Sequence, residues 1–286
     1  MELEPKNTTP PFRVLLFGYT SENIGDILQT IALTRLLPHC VGIYRERIRN
    51  GPGDKGILVA NGFLYDFPSN PQNCLFAGIH IYSGRNRIFR RYVRHKALRL
   101  GGSRYPIGAR DPATHSLMRS IGLDASLIGC ATLTFDRYEG PRQGVVSVDC
   151  DGPGTRITHR IAPTMSVKDQ WRLGLELVRR YRTATLIYTS RLHAALLGLA
   201  FGTPICFVPN KSSFDEPRYS ILAHLGVRPH EVTTADVVAL RDSFTSFLRI
   251  NLSIQITPGE PTYPEPEGSP VSFSPWRHAL YHLLCY

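Results

Sequence analysis

The chain has 286 residues, long enough for one large or two modest globular domains with a packed core. Its 42% hydrophobic and 20% charged residues are those of a globular, water-soluble chain. The longest apolar run, residues 194–208, is interrupted by Gly202, Thr203 and Pro204, which excludes a bilayer span there.

A net charge of +10, from 33 basic against 23 acidic residues, favours anionic partners: nucleic acid, membrane surfaces, or phosphorylated and acidic metabolites. The first residues, 1–12, are polar and lack the apolar core of a secretory signal. Six cysteines (Cys40, Cys74, Cys130, Cys150, Cys206 and Cys285) are widely spread without a C-x-x-C pair. That pattern predicts reduced thiols and a cytoplasmic location, and argues against a disulfide framework or a zinc site.

In chain order, residues 13–18 read as an apolar strand. Residues 24–37 follow as an amphipathic helix, with Ile24, Ile27, Leu28, Ile31 and Leu36 at helical spacing and Pro38 closing it. Strands are predicted at 41–44, 57–60 and 74–82. Between Arg85 and Arg99 seven basic and no acidic residues interleave with apolar ones at near-helical spacing. This basic amphipathic helix, 85–100, is either a solvated crossover helix or a peripheral contact with anionic lipid. No recognised nucleic-acid-binding module accompanies it, so nucleic acid is not an expected partner.

A short strand at 105–108 leads to Asp111-Pro112, an N-cap and first-turn proline, and a helix to Ile121. Leu127–Gly129 reads as a further strand. Residues 136–143 look like a linker, after which the pattern restarts with a strand at 144–149 and the turn Asp151-Gly152-Pro153-Gly154. Ser166 and Asp169 form a capping box for a helix to Arg182. Further helices are predicted near 213–225 and 235–249. Six prolines between Pro258 and Pro275 mark an extended connector, followed by a short segment, 276–286, that packs back. Alternating strands and helices predict an α/β protein: an N-terminal domain over 1–135, a C-terminal domain over 140–250, and a returning tail over 251–286.

Residues 183–209 carry the densest chemical signal. Leu186–Tyr188 is a strand that stops at Ser190, a good N-cap residue, and Arg191 and His193 fall in the first turn of an apolar helix. Gly202 and Pro204 end it, and Ile205–Val208 forms the next strand. Free N–H groups and the helix dipole attract anions at such a terminus, so Arg191 and His193 are candidates for a phosphate or carboxylate site. The alternative is a buried helix whose arginine pairs with a structural carboxylate.

The run Ser190-Arg191-Leu192-His193-Ala194-Ala195, followed by a glycine, a proline and a strand, resembles the signature of the polysaccharide pyruvyl transferase family. Asn23-Ile24-Gly25-Asp26 resembles the family's N-x-G-D element. Gly108-Ala109-Arg110-Asp111, with Leu117 and Gly122 beyond, resembles its R-D element. The three elements span residues 13 to about 226. The resemblance implies two Rossmann-like domains facing across a cleft (GT-B-like). It also implies transfer of pyruvate from phosphoenolpyruvate, as co-substrate and with no further cofactor, to two hydroxyls of a sugar as a cyclic ketal. The acceptor would be a surface polysaccharide or lipid-linked oligosaccharide.

On this reading Ser190, Arg191, Leu192 and Arg110 bind substrate, since arginines bind phosphate and carboxylate in bidentate fashion. His193 is the candidate acid, or a donor to the phosphate, and Asp26 the candidate base. Asp26 is otherwise a capping carboxylate, Asn23 a cap or a substrate contact, and Asp111 an N-cap. His80, at a strand end, is either a core histidine or a sugar or phosphate contact. No metal site is expected, because His278 and His282 lack a third ligand. A nucleotide-sugar glycosyltransferase on the same architecture is the alternative function.

Overall fold

The computed structural model describes residues 12–17, 22–50, 56–64, 67–81, 94–162, 164–209 and 217–267. The first half contains β1 (Phe12–Leu16), α1 (Gly25–Thr34), β2 (Cys40–Tyr44), β3 (Leu58–Leu64), β4 (Cys74–Ile81), β5 (Ile107–Ala109), α2 (Pro112–Ser120) and β6 (Ala125–Leu127). These strands form one six-stranded parallel sheet in the order β2-β1-β3-β4-β5-β6. Successive residues of β1 face opposite sides, Val14 and Leu16 one apolar cluster, Leu15 and Phe17 another. That is the pattern of a parallel strand covered on both faces.

The second half contains β7 (Val145–Val148), β8 (Thr155–Ile157), α3 (Val167–Thr183), β9 (Leu186–Thr189), α4 (Leu192–Phe201), β10 (Ile205–Phe207), α5 (Ser220–His224), β11 (Val232–Thr233) and α6 (Val238–Leu252). Its sheet has the order β11-β10-β9-β7-β8, parallel except for the β10–β11 pair. The protein is therefore α/β with parallel sheets. In each sheet the strand order reverses beside the first strand, between β1 and β3 and between β7 and β9. Ligands of open α/β sheets bind beyond the carboxyl ends of the strands at such points.

The crossover from β7 to β8 has no helix, although parallel strands ordinarily need about a dozen connecting residues. Residues 149–154 return along the sheet surface instead. A Cβ on Gly152 would lie 2.6 Å from Ser147 Oγ, and one on Gly154 2.1 Å from the Val145 carbonyl oxygen, so only glycine fits so tight a return. The turn expected at 151–154 is thus a whole crossover, and neither β8 nor the short β11 was anticipated from periodicity. Most other elements fall within a few residues of expectation, though α1 stops at Thr34 rather than Leu37. Of the helix expected near 213–225, residues 213–216 lie outside the described residues, and the rest is a 3-10 turn (Pro217–Tyr219) leading into α5.

One apolar cluster joins both halves, with α1, α3, α4 and α6 contributing to it. Gly174 of α3 lets that helix approach α1 closely, since a Cβ there would lie 2.5 Å from Ile31 Cδ1. Helix α6, grouped by sequence with the second half, crosses back to the first sheet. Phe244 lies against Gly78 of β4, and Phe247 against Gly108 of β5. From α6 the chain runs on past Trp171, which meets Tyr263 edge-on at 5.6 Å, to the free edge of β2. There Gly42 donates its N–H to the Glu265 carbonyl (2.8 Å) and accepts from the Glu267 N–H (2.7 Å). Pairing of this kind closes an otherwise open sheet edge.

Arg13, buried in β1, completes the closure. Its Nε and Nη2 donate to the two carboxylate oxygens of Glu267 at 3.0 and 2.9 Å. Among the described residues no helix is long and apolar enough to cross a membrane. Of the expected basic helix only residues 94–100 are described, as a helical turn running into a 3-10 segment. Residues 51–55 and the final segment from 268 lie outside the described residues.

Replacing Glu267 by Ala leaves the Arg13 guanidinium without this partner in a low-dielectric setting. The expected loss is about 1–3 kcal/mol, read as a lower urea midpoint at unchanged slope.

Candidate functional site

All ten residues of α4 are buried. The helix has no side-chain cap bond, worth about 1 kcal/mol, but burying Leu196 and Leu197 at about 1.5–3 kcal/mol each outweighs that loss. Ser190 is not the N-cap that its residue type suggested. Its N–H bonds the Val148 carbonyl (3.2 Å) and its hydroxyl the Asp149 carbonyl (2.8 Å), so it ties β9 to β7 one residue ahead of the helix. Arg191 is the N-cap, with extended backbone, and its N–H bonds Thr189 Oγ1 at 2.8 Å. Ala195 is the first residue whose N–H returns to the helix, to the Arg191 carbonyl. The N–H groups of the first turn therefore have no helical partner, as at any helix start.

His193 projects from this turn to the N-terminus of α1. A Cβ on Gly25 would lie 2.7 Å from His193 Nδ1, so the glycine of the Asn23-Ile24-Gly25-Asp26 element makes room for the imidazole. Asn23 prepares that end of α1: its Oδ1 accepts the Gly25 N–H at 3.1 Å. Residues 159–161 bridge the two halves alongside, with Ile24 N–H bonding the His159 carbonyl (2.9 Å) and Ile161 N–H the Glu22 carbonyl (3.0 Å). His193 Nε2 is buried and has no hydrogen-bond partner among the described residues. Burial, then the positive charge of Arg110, holds this histidine well below its ordinary pKa, so it is neutral at pH 7.

Arg110 comes from the carboxyl end of β5, and only 3% of it is exposed. It donates through Nε to Asp111 Oδ2 at 3.3 Å. Asp111 is the N-cap of α2, accepting the Thr114 N–H at Oδ1 (2.9 Å), with Pro112 in the first turn as the sequence predicted. The same Oδ2 accepts His80 Nδ1 at 2.8 Å, which places the His80 proton on that nitrogen. Burial alone would raise the Asp111 carboxyl, but His80, Arg110 and the Thr114 N–H outweigh it and hold it low. Burial pushes His80 down against the pull of Asp111. Asp111 is thus both a cap and the anchor of Arg110 and His80.

Arg191 turns the other way, to the end of β7. Its Nε donates to Asp149 Oδ2 at 2.6 Å. Asp149 also accepts the Thr158 hydroxyl (2.7 Å) and the His159 N–H (2.9 Å), from a left-handed backbone with φ of 51°. Burial alone would raise its carboxyl; these donors and the Arg191 charge lower it. His159 bonds the Tyr181 hydroxyl at 2.6 Å through Nε2 and has a buried, unpartnered Nδ1. Its pKa is lowered by burial, with a further push from Arg191, to about 3.

Both site arginines are therefore held by a carboxylate on Nε. The outer Nη edge of each has no partner among the described residues, and that edge is the one that grips phosphate or carboxylate in bidentate fashion.

Of the sequence candidates, His193 lies against Gly25 and within the fields of Arg110 and His80, while Arg191 is held on Asp149 and its charge reaches His159. Asp26 forms a buried pair with Arg45, Oδ2 to Nη1 at 3.6 Å. The α1 start is bonded by the Asn23 side chain, and Asp26 lies in the first turn of that helix. Leu192 packs in the apolar cluster, leaving its backbone N–H as its polar contribution. Sequence reasoning passed over Asp149, His159 and Arg218, whose charge reaches His80. Asp149 carried a usable signal, an aspartate directly after an apolar strand at the sheet's switch point. His159 and Arg218 carried none.

No protein-family model matches the chain, and no curated protein matches it. Three solved structures are similar in part. An uncharacterized protein, KP1_0663 from Klebsiella pneumoniae subsp. pneumoniae NTUH-K2044, is 14% identical over 74% of this chain and 88% of that one, with a TM-score of 0.43. The Methanocaldococcus jannaschii UDP-GlcNAc 2-epimerase, in complex with UDP-GlcNAc and UDP, is 10% identical over 88% and 95%, with a TM-score of 0.38. The glycotransferase of kitacinnamycin is 9% identical over 84% and 91%, with a TM-score of 0.33. Likeness this low carries no functional argument.

Gly25→Ala drives a methyl group into a buried imidazole. The expected destabilisation is about 1–3 kcal/mol, measured by urea unfolding. A second expectation concerns pH. An unfolded histidine titrates near 6.5, whereas His159 in the fold titrates near 3. Between those values the unfolded chain binds the extra proton, so stability falls as pH drops below about 6.5, by about 1.4 kcal/mol per unit for this group. His159→Gln should remove one such increment from the slope of urea stability between pH 7 and 4.5. An unchanged slope would mean that His159 is not held neutral.

Proposed function

We propose that the protein transfers the pyruvyl group of phosphoenolpyruvate to two hydroxyls of a sugar, forming a cyclic ketal. The acceptor is a unit of a surface polysaccharide or of its lipid-linked precursor. One observation carries this reading: His193 lies against Gly25 and within the field of Arg110, so the three resembling elements, far apart in sequence, converge on one buried histidine. The family resemblance of those elements supplies the reaction, and the geometry supplies groups suited to it.

Phosphoenolpyruvate carries a phosphate and a carboxylate, matching two arginines whose outer Nη edges are unused. First-turn N–H groups of α4 add donors for the same anions. The reaction needs a proton on the methylene carbon, addition of one sugar hydroxyl to the adjacent carbon, and capture by the second hydroxyl as the phosphate–carbon bond breaks. Of the two hydroxyl protons released, one balances the proton given to carbon and the other leaves with phosphate. His193 is the proposed acid. An anion bound against Arg110 offsets the cation that depresses His193 and raises its proton affinity beside the methylene group. Asp26, next to Gly25, is the proposed base, oriented by Arg45. His80 and Asn23 are the proposed acceptor contacts.

The test is isothermal titration with phosphoenolpyruvate, with uridine diphosphate sugars and inorganic phosphate as comparators. Arg110→Ala and Arg191→Ala should each weaken phosphoenolpyruvate binding by about tenfold to a hundredfold, the worth of a charged hydrogen bond. His193→Ala should keep binding within a few-fold and abolish release of phosphate in the presence of acceptor. A nucleotide sugar bound in place of phosphoenolpyruvate would overturn the reading in favour of glycosyl transfer.

A further inference from the structure

A cavity of about 750 Å³ lies at the opposite ends of the helices that build the candidate site. Helix α4 carries His193 in its first turn and ends at Phe201 on the cavity wall, and α1 begins beside His193 and runs to Arg35 on the same wall. Ten residues at 1.5 Å each separate the two places by about 15 Å. The cavity size is that of a site for a small organic ligand. Its apolar wall is Phe135, Tyr138, Val178 and Phe201, and Pro258–Pro261 of the returning strap closes one side.

The charges on this wall are unevenly matched. Arg35 is fully engaged, bonding the Thr134 and Gly259 carbonyls and Asp136, and Arg137 pairs with Glu139. Arg179 and Arg182, one turn apart on α3, have no acidic partner among the described residues; Arg182 stacks over the Tyr138 ring at 4.9 Å. Elsewhere on the same helix Arg172 pairs with Asp169 and Arg180 with Glu176. The remaining acid on the cavity wall, Glu260, lies within the field of Arg35.

We infer that this cavity is a binding site for a phosphorylated small molecule, its phosphates on Arg179 and Arg182 and its planar or apolar body on Phe201 and Val178. The site is separate from the candidate active site and does not depend on the reaction proposed for it. Nucleotides and prenyl diphosphates share this chemistry, a diphosphate on an uncharged body.

The test is calorimetric titration of the full chain with uridine diphosphate, farnesyl diphosphate and inorganic pyrophosphate. Each is repeated on the Arg179→Ala/Arg182→Ala double variant and on Arg110→Ala. Both arginines are exposed, so the double variant should keep the wild-type melting temperature. One organic diphosphate should bind saturably, at least tenfold tighter than pyrophosphate. The double variant should weaken it at least tenfold and Arg110→Ala leave it unchanged, and whichever body binds tighter identifies the source. Loss of binding in Arg110→Ala but not in the double variant would assign the ligand to the other site and overturn the inference. So would equal affinity for pyrophosphate, or no saturable binding at millimolar concentration.

Discussion

The contact between His193 and Gly25 is the constraint on which the rest of the site depends. An imidazole can lie this close to a helix N-terminus only where the opposing residue lacks a Cβ. The two helix starts that meet here carry partial positive charge, and Arg110 adds a full one. Burial first, and then the charge of Arg110, hold the histidine between them neutral, with one ring nitrogen buried and unpartnered. A buried polar atom without a partner is costly, of order 1–3 kcal/mol, and a site that gains a ligand removes that cost. The strain is local, and the surrounding cores of both sheets hold it in place.

The carboxylates around this point act as holders. Asp111 fixes Arg110 and His80 together while it caps α2, and Asp149 fixes Arg191 while it bonds Thr158 and His159. In each case the carboxylate takes Nε, which orients the guanidinium without covering its outer edge. Arg13 differs: Glu267 takes both Nε and Nη2, and that pair serves the closure of the sheet edge. The same residue types thus divide into structural and ligand-facing roles by which nitrogens the carboxylate occupies. Asp149 adopts its left-handed backbone at the point where the helix-free crossover leaves β7. Such strain concentrates where a chain must aim a side chain.

Helices α1 and α4 link the two ends of the molecule. Their N-termini face the histidine site, while their C-terminal ends meet the arginine-rich cavity and the returning strap. Arg142 caps exposed carbonyls at that end, bonding those of Phe201 and Arg182. Basic residues there complement the negative ends of the helix dipoles, which accounts for Arg142 but leaves Arg179 and Arg182 unmatched. The strap from α6 crosses both halves, so the halves share one apolar cluster and the chain's return is part of the fold.

Much of this was readable from the residues. Hydrophobic periodicity and turn chemistry placed most strands and helices, and the capping box at Ser166 and the cap at Asp111 appear as expected. Those features depend on neighbours in sequence, through backbone geometry and short-range bonds. The pairing of distant residues did not follow. Neither the meeting of Gly25 and His193 nor the grip of Asp149 on Arg191 is encoded by spacing, because the first depends on how the two sheets are set against each other and the second on β7 and β9 lying side by side in one sheet. Ser190 gave way as N-cap because its hydroxyl found the carbonyl of Asp149, 41 residues earlier and just past the end of β7. The sequence by itself determined the α/β alternation and the residues able to bind anions, since both are local properties of the chain. Tertiary structure decided which of those residues face one another, because only packing brings the carboxyl ends of separate strands within hydrogen-bonding distance.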